Sequence, residues 1–482
     1  MKPTIDILEE RISAAMATAT GRDDSAAIVR PSTDPKFGDY QANGIMPLAK
    51  KLKTNPCKLA EDVVGNLDLS DICDPPEVAG PGFINLRLKP EFLADRLIEI
   101  NRAIANLGID KADVPKTIVV DFSSPNIAKQ MHVGHLRSTI IGDCVCRVLE
   151  FLGHKVIRQN HIGDWGTQFG MLICYFYRTY GDSLKQFGIT VSDISIPNME
   201  VFYREANKLF DTDSDFASES REYVVKLQSG DQDVFPIWQF ICQQSLYGFQ
   251  DLYRSLGIGL NLSDVRGESF YNNKLADVVG DLKRNELTVE SDGAVCVFPP
   301  GFKNKEGQPL PFIIQKSDGA YLYATTDLAA LRYRINELKA NAIIYVTDAR
   351  QKLHFEMLFA VAKMAGWVSD DIELSHVMFG SILGEDGTPL KTRAGESVKL
   401  KELLDEAVER AMAVVEEKNP ELSPGKKEQI ARAVGIGAVK YADYSNNRTS
   451  DYVFSFDKML AMDGNTAPYM QYAYARIKSI ER

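Results

Sequence analysis

Twice along this chain, short apolar runs alternate with helical patterns, and this alternation limits the possible folds more than any other feature. In the first block, "TIVVDF" (117–122) reads as a buried strand, "LRSTIIGDCVCRVLEFLG" (136–153) as a helix closed by Gly153, and "HKVIRQNHIG" (154–163) as another strand. In the second, "AYLYATT" precedes the helical "DLAALRYRINEL", "AIIYVTD" precedes "HFEMLFAVAKMAG", and "IELSHVMFG" follows. β-Branched runs separated by helices predict a parallel sheet covered on both faces. The expected fold class is α/β, a Rossmann-type doubly wound parallel sheet in two halves over 116–395. Residues 165–310 are less regular, with helical patterns over 199–256 and a strand at "AVCVFPP", and read as an insertion that splits the sheet.

The flanks differ from this middle. Residues 1–110 read as a small α+β domain. "IDILEERISAAM" has helical spacing, "PKFGDYQANGIMPLAKKL" reads as loop then helix, and "PCKLAEDVVGNL" as a helix capped by Asn55 with Pro56 at its first position. "AGPGFINLRL" is a turn before a strand, and "PEFLADRLIEINRAI" is a further helix. Residues 107–116 are polar and read as a linker. From 396 to 482 the pattern is helical throughout.

Composition narrows the class without naming it. Of 482 residues, 45% are apolar and 25% charged, as in an ordinary globular protein. The seven cysteines are scattered and odd in number, which points to reduced thiols and a cytoplasmic protein. Asp6, Glu9 and Glu10 argue against a transit peptide, and no stretch approaches the ~20 apolar residues of a membrane helix. A net charge of −11 weighs against a large nucleic-acid footprint, although a binding face can be local.

"SSPNIAKQMHVGHLRST" (123–139) lies where a strand gives way to a helix and holds two of the chain's six histidines, His132 and His135. Open α/β sheets bind ligands at the carboxyl ends of their strands. A helix N-terminus there offers free N–H groups and a positive dipole end, which suit phosphates. His132 and His135, three apart, can both serve from one face of the first turn, and Gly134 lets a nucleotide approach the backbone. No G-x-x-x-x-G-K-[ST] loop is present, so this is not a Walker-type NTPase. H-x-G-H alone also fits two surface histidines near a helix cap.

The whole stretch resembles the "HIGH" signature of class I aminoacyl-tRNA synthetases, and "SSPNIAK…HVGHLRST" resembles the arginyl-tRNA synthetases among them. "FGDYQANGIMPLAKKL", "VAGPGFINLRL", "NHIGDWGTQFGML", "YATTDLAAL", "VTDARQKLHFEMLF" and "APYMQYAYARIKSI" are similar to that family in the family's order. The resemblance spans essentially the whole chain. It implies an arginine–tRNA ligase that joins L-arginine to ATP as an adenylate and passes it to tRNA(Arg). Mg²⁺ would bridge the phosphates.

By resemblance, His132, Gly134, His135, Lys391 and His354 bind ATP, and His132, His135, Lys129 and Lys391 act in catalysis. The family's second, lysine-bearing loop has the common form K-M-S-K-S and reads Lys391-Thr392-Arg393-Ala394-Gly395 here. Its second lysine is Ala394, a departure that many arginyl enzymes share and that Lys129 would offset. Tyr323, Asp327 and Gln351 match contacts to the arginine, and Ser124 and Asn126 match those to its α-amino and carboxylate end. Asp121 sits where the family has an acidic residue near the guanidinium. A carboxylate suits that group because it meets the planar cation with two parallel hydrogen bonds. Without the resemblance, Asp327 reads more readily as a helix cap, His354 equally as a cap or core histidine, and Lys391 as a solvated loop lysine.

The resemblance further implies that residues 1–110 touch the tRNA elbow and that a helical C-terminal domain reads the anticodon. The chain stops where that domain would be starting, so a truncated, monomeric enzyme that binds its small substrates but acylates poorly is expected. A non-catalytic relative that senses arginine or tRNA, and another class I nucleotidyltransferase, are the competing readings. The intact His132-Val133-Gly134-His135 opposes the first, and the "YATTD" stretch opposes the second.

Overall fold

A computed structural model describes residues 1–23, 25–187, 190–390 and 397–481. The chain divides into two compact units, Met1–Asp113 with Phe151–Gly153, and Val114–Glu150 with His154–Arg482.

The first unit contains helices α1 (Thr4–Thr20), α2 (Ile45–Leu52), α3 (Pro56–Gly65) and α4 (Pro90–Arg102). Its antiparallel sheet has the order β1-β2-β4-β3, with β1 Val29–Pro31, β2 Tyr40–Ala42, β3 Glu77–Ala79 and β4 Phe83–Leu86. Leu8, Ile12, Ala15 and Met16 of α1 recur at helical spacing and pack with Ile84 and Leu86 of the sheet. Asn55 caps α3 as its sequence predicts, accepting from the N–H groups of Cys57 and Lys58. "DYQA", read above as loop, is instead strand β2. It pairs with β1 just before it, Pro31 opposite Tyr40, and with β4 more than forty residues on, Tyr40 opposite Leu86; none of these strands exceeds four residues, too short for alternation to mark them.

In chain order the second unit begins with β5 (Thr117–Asp121), α5 (Val133–Phe151) and β6 (Lys155–Gln159). Then come α6 (Gln168–Phe187), α7 (Met199–Thr212), α8 (Ser214–Gln228), α9 (Phe235–Leu256), α10 (Asn272–Arg284) and an antiparallel sheet of β7 (Val289–Ser291), β8 (Ala294–Val297) and β9 (Phe312–Gln315). They are followed by α11 (Tyr323–Asn336), β10 (Ala342–Tyr345), α12 (Lys352–Met364), β11 (Glu373–His376) and β12 (Ile382–Leu383). The last elements are α13 (Leu400–Lys418), α14 (Pro424–Tyr444), β13 (Tyr452–Val453), α15 (Phe456–Met459) and α16 (Ala467–Ile480).

The central sheet has the order β11-β10-β5-β6, with every pair parallel. From β5 the chain moves one way, through α5 to β6. From β10 it moves the other way, through α12 to β11. The order therefore reverses between β5 and β10, where Asp121 stands opposite Tyr345. That reversal opens a crevice at the strands' carboxyl ends. Alternate residues feed two cores. Ile118, Val120 and Ala342 pack with Leu136 and Ile140 of α5, whereas Val119, Ile343 and Tyr345 pack with Leu328 of α11 and Leu358 of α12.

Two sequence expectations are corrected here. "AYLYATT" is not a strand of the parallel sheet. Helix α11 begins at Tyr323, and the preceding strand is β9, in the antiparallel sheet. Ala324, Leu328 and Leu331 repeat at helical spacing towards the core, and this outweighs the alternation of Y-L-Y. The region after 396 is not wholly helical either, because β13 pairs with β12 through Ile382 opposite Tyr452.

Candidate active site

The loop leaving β5 holds three non-glycine residues in left-handed backbone, Ser123 (φ +75°), Ser124 (φ +48°) and Ala128 (φ +63°). Each costs on the order of 1 kcal/mol, so the surroundings must hold them. A side chain accepts from each N–H: Ser138 Oγ from Ser123 (2.9 Å), Asn160 Oδ1 from Ser124 (3.0 Å) and Ser245 Oγ from Ala128 (3.0 Å). The loop thereby presents Ser124 and Asn126 at the crevice. Asn126 pairs with Gly163, where a Cβ would lie 2.0 Å from Asn126 Oδ1.

At the start of α5 the two histidines cap the helix reciprocally. His132 Nδ1 accepts from Gly134 N (3.0 Å), and His135 Nδ1 accepts from His132 N (3.2 Å). This is the geometry of a capping box built from imidazoles. Because each Nδ1 is an acceptor, each neutral ring carries its proton on Nε2. Burial, then the charges of Arg350 and Lys129, lowers the His132 pKa, and burial first, then His132, lowers that of His135 to about 4. Both rings are therefore neutral Nε2–H donors near pH 7. Gly134 has a structural use that its sequence position does not announce. A Cβ there would lie 2.8 Å from Cε1 and 2.9 Å from Nδ1 of His132, so glycine is what lets this ring fold over the helix end. Main-chain bonds from Val133 N to Val398 O and from Leu400 N to Met131 O, both 2.9 Å, tie this loop to the start of α13.

Lys129 is exposed, with its Nζ 5.2 Å from the ring centre of Tyr203 on α7. Lys391 lies outside the described residues.

Asp121 does face a guanidinium, but it is one of the chain's own. Its Oδ2 accepts from Arg334 Nη2 at 2.6 Å, and Arg334 Nε donates to Gln159 Oε1 at 2.6 Å. Arg334 is fully buried, and Ser124 Oγ donates to the other carboxylate oxygen of Asp121 at 3.2 Å.

A second group gathers around Asp327. This residue is not a helix cap, since Leu322 holds that position and Asp327 lies in the second turn of α11. Its Oδ2 is 2.7 Å from His354 Nε2, and its Oδ1 is 3.9 Å from His161 Nε2. The His354 ring lies 5.1 Å from that of exposed Tyr323, and Gln351 is exposed at the turn leading into α12. Thus His354 joins the Asp327 group rather than the histidine cap. Sequence reasoning missed two members. The His161 Nδ1 is buried without a partner. The Glu268 carboxyl is pushed up to about 7, first by burial and then by Asp164 and Asp327. His161 stands in the "NHIGDWG" stretch, which was a usable signal. Glu268 is a lone carboxylate with none.

An imidazole cap at a helix N-terminus, at the switch point of a doubly wound parallel sheet, fits the class I tRNA synthetases. The family model for the class I (R) tRNA synthetase catalytic domain matches residues 99–456, and that for the arginyl-tRNA synthetase N-terminal domain matches residues 6–88. The arginine–tRNA ligase of Chromobacterium violaceum is 51% identical over 482 residues, covering 99% of this chain and 82% of its own length. That of Cellvibrio japonicus is 52% identical over 477 residues, covering 99% and 81%. The crystal structure of the Plasmodium falciparum arginyl-tRNA synthetase superposes with a TM-score of 0.81 at 34% identity, covering 100% of this chain and 81% of that one. The chain belongs to the arginyl-tRNA synthetase family. Its activity is that of an arginine–tRNA ligase, with arginine, ATP and tRNA as substrates.

Proposed function

We propose that arginine and ATP meet across the switch point between β5 and β10, each held by one of the two groups described above. Ser124 and Asn126 hold the α-amino and carboxylate end of arginine. Tyr323, Asp327 and Gln351 hold its side chain, with Glu268 as a second carboxylate towards the guanidinium. In this reading His354, expected from the sequence to bind ATP, orients Asp327, and Asp121 positions Ser124 from its ion pair with Arg334. His132, His135, Lys129 and Lys391 donate to the phosphates, and Gly134 keeps the His132 ring in place.

The reaction then needs no enzyme nucleophile. A carboxylate oxygen of arginine attacks the α-phosphorus, and the bond to the β-phosphate oxygen breaks, releasing pyrophosphate. A terminal ribose hydroxyl of tRNA(Arg) next attacks the arginyl carbonyl and displaces AMP. The protein supplies alignment and charge stabilisation. Two neutral imidazoles with fixed Nε2–H groups can bond to phosphate oxygens as negative charge builds. They do so without the desolvation cost of a buried cation.

Mg²⁺ arrives with ATP in this reading, bridging its phosphates, which does not require a dedicated protein cage. The unit Met1–Asp113 serves the tRNA elbow, and 396–482 leads towards an anticodon-reading domain. We also read the protein as a cytoplasmic monomer, on the strength of its seven unpaired cysteines and ordinary composition. Among the described residues no helix is long and apolar enough to cross a membrane.

The observation that carries this reading is the reciprocal histidine cap at the sheet's switch point, together with Asp327 held by His354 at 2.7 Å. Arginine KM in Asp327→Ala tests it. A rise of roughly a hundredfold is expected for losing a charge-assisted fork, and an unchanged KM would remove Asp327 from the pocket.

A further inference from the structure

Helix α9 belongs to the stretch that reads as an insertion, yet it reaches the substrate loop at both ends. Tyr253 is buried, 1% exposed, and its hydroxyl lies 2.7 Å from Ser123 Oγ and accepts from Asn160 Nδ2 at 3.1 Å. Because Asn160 supplies that proton, the hydroxyl's own proton is free for Ser123. Asn160 is also the residue whose Oδ1 fixes the N–H of Ser124. One phenol therefore braces both left-handed serines. Eight residues earlier, Ser245 Oγ donates to Ile241 O at 3.0 Å and accepts from Ala128 N at 3.0 Å. It thereby fixes the third left-handed residue, directly before Lys129.

We propose that Tyr253 and Ser245 are positioning residues, through which α9 holds the strained loop in its substrate-binding form, Tyr253 setting the arginine end and Ser245 the phosphate end. This rests on the reading that Ser124 and Asn126 meet the arginine and Lys129 meets ATP. Ser245→Ala removes the partner of the Ala128 N–H itself, whereas Tyr253→Phe loosens Ser123 Oγ and Asn160, the residue that holds the Ser124 N–H. Left-handed serine and alanine relax readily once such anchors weaken. Removing one hydroxyl would therefore let its end of the loop drift while the core around the ring stays filled.

The test is steady-state ATP–pyrophosphate exchange with tRNA(Arg) present, read well below each variant's melting temperature, on Tyr253→Phe, Ser123→Ala, Ser245→Ala, Ser124→Ala and the double variant Tyr253→Phe/Ser123→Ala. Tyr253→Phe should raise arginine KM roughly tenfold, a factor typical of one lost buried hydrogen bond, and leave ATP KM unchanged. Ser245→Ala should do the reverse. Tyr253→Phe/Ser123→Ala should be no worse than either single variant, as members of one unit are. A loss of stability alone would lower active enzyme and kcat without this split. Wild-type arginine KM in Tyr253→Phe, or multiplied effects in the double variant, would overturn the proposal while Ser124→Ala stays impaired. Wild-type arginine KM in Ser124→Ala would instead overturn the substrate-end assignment, and the proposal with it.

Discussion

His135 accepts the backbone N–H of His132 through Nδ1 at 3.2 Å, so one ring nitrogen serves the fold and the proton sits on the other, Nε2. His132 does the same by accepting from Gly134. The pair caps the start of a helix and fixes two tautomers in one arrangement, so under the proposed function the same bonds that cap the helix prepare the phosphate donors.

His135→Ala should therefore cut the rate of adenylate formation by 10²-fold or more, about 3 kcal/mol of transition-state stabilisation. Arginine affinity, measured by equilibrium dialysis, should change little. Parallel losses in both would show that His135 acts on ground-state binding.

Gly134→Ala gives a sharper contrast. Alanine's gain in helix propensity over glycine, about 1 kcal/mol, offsets the loss of the His132 cap, so the net change in unfolding free energy in urea should be under about 1 kcal/mol. The new Cβ meets the His132 ring at 2.8 Å and drives it off the helix end, so pyrophosphate exchange should fall at least tenfold. Full activity would mean that the ring's position does not matter.

With Glu268 placed towards the guanidinium, as proposed, arginine binding depends on pH. Its carboxyl is held at about 7, so it is half neutral near pH 7 and charged above it. Charged Glu268 attracts a guanidinium and neutral Glu268 does not, so arginine KM should fall as pH rises from 6 to 8. Arginine KM in Glu268→Gln should be higher and flat over that range, as checked by parallel pH profiles.

Asp121→Ala should cost mainly stability. It leaves the guanidinium of fully buried Arg334 without its carboxylate, a loss of about 3–5 kcal/mol by the usual measure of a broken buried pair. Urea denaturation measures it directly. A change below about 1 kcal/mol would show that the pair is not what holds Arg334.

Much of this site could be read from the sequence, because its residues sit in local motifs. The strand "TIVVDF", the helix after it and the H-x-G-H pair follow one another, and apolar periodicity locates them all. The reversal of strand order depends on β10 choosing β5 as its neighbour, more than two hundred residues apart, and no local pattern encodes that choice. The pairing of Asp121 with Arg334 was hidden for the same reason, since α11 brings Arg334 in from a distant segment. "AYLYATT" misled because its tyrosines alternate as in a strand, while its small residues fit a helix face. Tyr253 and Ser245 carried no signal at all, because a hydroxyl in an amphipathic helix reads like any other until the loop it holds is seen.

The central claim is that this crevice joins ATP to arginine in particular. Arginine-dependent ATP–pyrophosphate exchange, with and without tRNA(Arg) and with lysine as the competing amino acid, tests it most directly. The account predicts exchange that requires arginine, that lysine does not support because it cannot form the guanidinium fork, and that depends on Asp327. ATP binding without exchange under either condition, or exchange that lysine supports equally well, would contradict it.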